Sequence, residues 1–221
     1  MRFLQVLLGS QAVTPVAMAS KTPSCPPFPS SMTAFSASFA QPEPPLIKSE
    51  YRTNFVQHKW NQNLSHITTG FINNSPAKAF VRVDEVFEDS DNAAQGLGST
   101  LGTSLFNYAN VTNEGLVDNT LTSYTGNSTK PVVWRGYVNS NFPIIEQDML
   151  VRAGAVFGGL AHREFVKAPV AAWNIMYQGV IPVTIFVDNC GVVVGYDYFS
   201  PGLRTRVVTQ YFNIQVGGAS A

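Results

Sequence analysis

From Tyr51 onward the chain is a succession of short runs rich in Val, Ile, Thr, Tyr, Phe and Trp, and this constrains its fold more than any other feature. The runs are NFVQHKW, HITTGFI, AFVRVDEVFE, GLVDNTLTSYT, VVWRGYV, MLVRAGAVFGGLA, AAWNIMYQG, VTIFV, VVVGYDYF and TRVVTQYFNI. Most alternate apolar with polar residues, and Gly, Pro, Asn or Asp bounds each of them, as expected of strands and turns. Helical periodicity is weak throughout. A short helix is expected near Glu146–Met149 or within Ser99–Tyr108, and the polar, Gly-rich stretch Glu88–Gly102 reads as a loop over an opening.

About ten strands with many internal aromatics predict an all-β fold, an antiparallel β-barrel of lipocalin-like size, over residues 51–221. A barrel of this strand number is wide enough to hold a small ligand. Gly136, Gly154, Gly158, Gly159 and Gly195 fall inside runs, where a barrel bends. A two-sheet sandwich with a filled core is the alternative. With 45% apolar residues, the chain has ample material for one domain.

Before the strands, seven prolines lie between Pro23 and Pro45. Proline lacks the backbone donor and fixes φ, so residues 20–50 are expected to form an extended arm laid over the domain. Residues 1–19 read as a signal peptide, with Arg2, an apolar stretch from Phe3 to Leu8 and an A-x-A site at Ala17–Ala19. The alternative is a leader that stays attached. Sequons at Asn63, Asn73, Asn110 and Asn127 are candidate glycosylation sites and also point to secretion. In an oxidising compartment the two cysteines, Cys25 and Cys190, are expected to form a disulfide; free thiols are the alternative. Cys190 sits in Asp188-Asn189-Cys190-Gly191, which is turn chemistry at a hairpin tip.

Fourteen basic residues balance fourteen acidic ones, and no basic stripe is visible, which argues against a nucleic-acid partner. No segment has the apolar length of a membrane span. There is no G-x-S-x-G elbow and no P-loop, and Gly96–Gly102 misses the dinucleotide fingerprint. His58, His66 and His162 lack metal-ligand spacing, so neither metal nor cofactor is expected. The partner expected is an apolar small molecule; a homodimer is left open.

Trp60, Trp134, Trp173 and the run Tyr196-Asp197-Tyr198-Phe199 either line a cavity or fill a core. Arg82 and Asp84 share one face of FVRVDEVF, as an outward ion pair or an inward pair that orients a ligand. Val81, Val83 and Phe87 make the better core face. His162-Arg163-Glu164 breaks an apolar run and marks a turn.

The sequons, KWNQNLSHITTGFI, VAAWNIMYQGVIPVTIFVDNCGVVVGYDYFSP and the last strand resemble a group of small secreted fungal β-barrel proteins. That group includes hetero-Diels–Alderases of tropolonic sesquiterpene biosynthesis, and the resemblance spans Tyr51 to Val216. It implies a cofactor-free pericyclase joining a tropolone or o-quinone methide heterodiene to a terpene alkene. The alternative is a lipocalin-like carrier that does no chemistry; a third, a secreted surface-active or host-interaction protein, needs no pocket. Holding two reactants at near-attack geometry can supply about 7–11 kcal/mol of a barrier. A donor on the heterodiene oxygen stabilises charge developing there, and an acid helps water leave. Asp84, Arg82 and Tyr196 are the nominees for the polar roles, and Trp60, Trp134, Phe186 and Tyr198 for the apolar walls.

Overall fold

The computed structural model describes residues 25–33, 39–61, 65–87, 100–125 and 130–217. The signal-peptide segment, Asn63, Asn127 and residues 88–99 of the predicted covering loop lie outside these residues. Eleven strands follow one another: β1 (Tyr51–Trp60), β2 (Ser65–Ser75), β3 (Phe80–Phe87), β4 (Thr100–Val111), β5 (Val117–Thr125), β6 (Val132–Val138), β7 (Val156–Ala161), β8 (Val170–Tyr177), β9 (Ile181–Val187), β10 (Val193–Ser200) and β11 (Thr205–Val216). The described residues also hold two one-turn helices, α1 (Ser30–Thr33) and α2 (Met149–Arg152), and a 3-10 turn at Pro76–Lys78.

All strands belong to one antiparallel sheet in the order β6-β5-β4-β3-β2-β1-β11-β10-β9-β8-β7. The all-β, antiparallel, barrel-like expectation therefore holds and the sandwich does not. The ladder stays open, with β6 and β7 as its edges. Curvature still brings both halves onto one core: Val81, Phe106 and Val117 from one side join Phe157, Trp173 and Ile185 from the other.

Parity fixes the inner face. On β1, Tyr51, Thr53, Phe55 and Gln57 are buried while the residues between them are not. The register carries that face to Asn74, Ile72, Gly70 and Thr68 on β2, and to Tyr211, Thr209 and Val207 on β11. It continues to Tyr196 and Tyr198 on β10, Ile185 and Val183 on β9, and Trp173 and Ile175 on β8. Gly70 is needed there, because a Cβ would overlap the Asp84 carbonyl and the Phe55 ring.

What fills this inner face is the connection between β6 and β7. Phe142 sets its ring 5.5 Å from Phe55 and 6.3 Å from Phe106. Its carbonyl accepts the Tyr108 hydroxyl at 2.6 Å. One residue earlier the Asn141 carbonyl accepts the Tyr196 hydroxyl at 3.1 Å. Buried Asn74 accepts from the Ile145 amide at 3.0 Å and donates to the Ile145 carbonyl at 2.9 Å. Residues 139–148 thus form a plug, which exempts the sheet from needing a second layer to bury its inner face.

Among the described residues ahead of β1, α1 is a single helical turn and no strand forms. Cys25 is bonded to Cys190, and the Asn189 amide donates to the Cys25 and Pro26 carbonyls. Phe39 stacks on Phe157, and Ile47 is buried. Of the two places offered for a short helix, Glu146–Met149 runs into α2 at Met149, whereas residues 100–108 of the other belong to strand β4. The His162–Glu164 stretch does turn, and Arg163 folds back to bond Asp197 through both guanidinium nitrogens at 3.0 Å.

Candidate functional site

Between the plug and the inner face of β8–β11 lies a chamber of about 290 Å³. Ile175, Val183, Ile185, Tyr196, Tyr198 and Val207 form its floor, with Pro143, Ile145 and Met149 above. Such a lining, mostly apolar with a few polar groups, is that of a small-molecule site at the lower end of the usual size range. Lys59 is the one charged residue in the lining, and Leu203, exposed at the β10–β11 turn, stands at the mouth.

The chemistry of these walls is muted. Burial pushes the Tyr198 phenol up to about 12, and its hydroxyl reaches only the Asn141 side chain, at 3.4 Å. Tyr196 is raised further, by burial and then by its neighbour Tyr211, and its hydroxyl is already given to the Asn141 carbonyl. Both are neutral donors, unsuited to giving up a proton. Burial lowers the Lys59 ammonium, and the charge of Glu85 partly offsets that. The Glu85 carboxyl is raised by burial, with Lys59 opposing.

Of the residues nominated from sequence, Tyr196 and Tyr198 line the chamber and the other five do not. Arg82 and Asp84 need correcting: their parity on β3 places them on the outer face, because Val81 and Val83 take the core. There Arg82 Nε bonds Asp84 at 3.0 Å, and the Thr103 hydroxyl donates to the same carboxylate at 2.6 Å. Trp60 is also on the outer face, its ring tilted against His58 at 4.4 Å and beneath the Arg206 guanidinium at 5.4 Å. Phe186 is buried, but in a second small cluster with Val170, Ala172 and Val194 on the outer side, under Arg163 at 4.0 Å. Trp134 shares the inner parity through Leu121 and Ser104. It stands on edge strand β6, though, 45% exposed and away from the chamber.

Lys59 and the plug residues were missed. Lys59 continues the buried series Thr53, Phe55, Gln57, a signal readable in the alternation; the plug has no periodicity to read. Among the sequons, Asn110 is exposed, donating to Asp118 and accepting from Tyr137, and Asn73 is half-buried on the outer face of β2. Among the described residues no group of His, Cys, Asp and Glu could hold a metal ion, and no helix is long and apolar enough to cross a membrane.

No family model matches the chain, and no curated protein does. Among solved structures, a DUF1329 family protein from Desulfovibrio piger aligns with 79% of this chain and 88% of its own. The identity is 10% and the TM-score 0.35, a likeness too distant to carry an argument.

Proposed function

We propose that the protein takes one compact apolar molecule into the chamber under the plug and, as the fungal resemblance implies, presents it for a cofactor-free hetero-Diels–Alder joining to a terpene alkene in the secretory pathway. The observation that carries the binding half is the chamber itself, with apolar walls, neutral phenols and a single cation. A cycloaddition forms two σ bonds and expels nothing, so fixed shape and one hydrogen-bond donor suffice. The volume suits one partner, the heterodiene, with the alkene approaching from the mouth at Leu203. Tyr198 is the available donor, since its hydroxyl is only loosely held by Asn141.

A carrier without catalysis is the second reading. It is favoured by the Tyr196 hydroxyl being committed to the plug and by the outward placement of Arg82 and Asp84. The test is to generate an o-quinone methide with a terpene present, add purified protein, and measure rate and stereochemistry. Faster, face-selective adduct formation is expected. A product mixture and rate identical to the protein-free control, alongside measurable ligand binding, leaves the carrier.

A further inference from the structure

On the inner face, strands β1 and β2 bring the chamber residue Lys59 together with three polar side chains that no role above uses. The register pairs Lys59 with His66 and Gln57 with Thr68, directly across the strand gap. Cross-strand partners have Cβ atoms about 4.5–5.5 Å apart, and residues two apart on a strand share a face, so the four make one patch. Gln57 and Thr68 are fully enclosed, at 0% and 3% exposure.

That patch is left unsatisfied. Gln57 spends its amide nitrogen on the Thr209 hydroxyl, at 2.8 Å. Its Oε1, the Thr68 Oγ1 and the His66 Nδ1 are buried with no hydrogen-bond partner among the described residues. Lys59 makes no ion pair among those residues; Glu85 shares the inner face but lies beyond ion-pair distance. Buried polar groups in native proteins are almost always partnered, and an orphaned one costs about 1–3 kcal/mol. Those three atoms have no surface open to the chamber, whereas Lys59 lines it; a cation with no ion pair among the described residues on an otherwise apolar wall describes a partner that has an apolar body and an acidic head.

We propose that Lys59 is the head-group contact of the chamber, selecting an apolar molecule that carries an acidic oxygen. Lys59 donates to the acidic oxygen, and the apolar body lies along Ile175, Val183, Ile185 and Val207. This rests on the chamber being a ligand site, and it narrows the ligand class.

The probe is 2-naphthoic acid, compared by fluorescence titration with its methyl ester on the intact, disulfide-bonded protein. The acid should bind about 10–100-fold more tightly than the ester, the range expected for a hydrogen bond to a charged group. Lys59→Met should erase that margin by weakening the acid far more than the ester, and Lys59→Arg should restore most of it. If a variant fails to fold, the wild-type contrast between acid and ester decides. Equal binding of acid and ester overturns the head-group site and leaves the chamber reading standing. No binding of any probe overturns both.

Discussion

Asn74 is the residue on which the plug depends most, and replacing it tests the architecture directly. Its side chain is 1% exposed and makes three hydrogen bonds. It accepts from the Ile145 amide at 3.0 Å, donates to the Ile145 carbonyl at 2.9 Å, and donates to the Ser49 carbonyl at 2.5 Å. One amide thereby ties the plug and the base of the arm to β2. Asn74→Ala orphans both backbone groups of Ile145, itself only 3% exposed, at about 1–3 kcal/mol each. The Ser49 carbonyl, in a half-buried residue, can rehydrate and adds little. The expected loss is about 4 kcal/mol, a fall in Tm of about 8–16 °C for a domain of this size. Asn73→Gln, on the opposite face of the same strand, is the control and should cost less than ~1 kcal/mol. Chemical denaturation of unglycosylated protein gives the free energies, and limited proteolysis should show residues 139–148 cut first in the alanine variant. A loss below ~1 kcal/mol with unchanged proteolysis would refute the idea that this clamp seats the plug.

The Cys25–Cys190 bridge closes a loop of 165 residues, so on the chain-entropy model its removal costs up to about 5 kcal/mol. In the double serine variant, cleavage should begin in the arm ahead of Ile47, and the native protein should alkylate at neither cysteine until reduced. The two ion pairs on the outer face should behave oppositely. Arg82→Ala breaks a pair whose arginine is half exposed and should cost at most ~1 kcal/mol without changing ligand affinity. Arg163→Met strands the Asp197 carboxylate and should cost about 3 kcal/mol in the same denaturation assay. Finally, burial raises Tyr51, Tyr196 and Tyr211 above the ordinary 10.0 and takes Tyr108 to about 12. Because the folded state holds these phenols neutral, their stabilisation is complete below pH 10 and declines as pH rises through the folded values. Tyrosinate absorbance should therefore appear in one cooperative step with unfolding; independent, non-cooperative titration of all the tyrosines would contradict this.

Most strands were legible because their alternation is strong, and β4 was not because its alternation is inverted. Over its first half the inward positions are Gly102 and Ser104, ahead of the buried Phe106, while Leu101 and Leu105 point outward and are 48% and 44% exposed. Read for polarity, that pattern suggests a loop or a helix. Gly102 and Ser104 are small where they face the Glu85 and Val83 positions of β3, and only the pairing reveals that. The disulfide was legible for the simpler reason that only two cysteines exist.

The site was less legible, and Phe186 shows why. Alternation separates two faces without saying which is the chamber, and burial does not settle it here. Phe186 is as buried as a core residue, yet it packs under Arg163 where the β7–β8 connection covers the outer face. Tyr196, ten residues on, is buried on the inner face at the same level. The difference lies in what covers each side, and both covers are aperiodic segments whose placement depends on contacts distant in sequence: Asn74 with Ile145, Tyr108 with Phe142, Arg163 with Asp197. Polar residues invert the same lesson. Arg82 and Asp84 drew attention because charges inside a strand suggest function, but paired on an exposed face they need no further partner. Gln57 and Lys59 drew none, although their parity with Phe55 places them on the buried face, where unmet hydrogen-bonding capacity is costly. In a sheet covered on both sides, a ligand is therefore better sought at polar residues on the buried parity than at charges or aromatics chosen for their type.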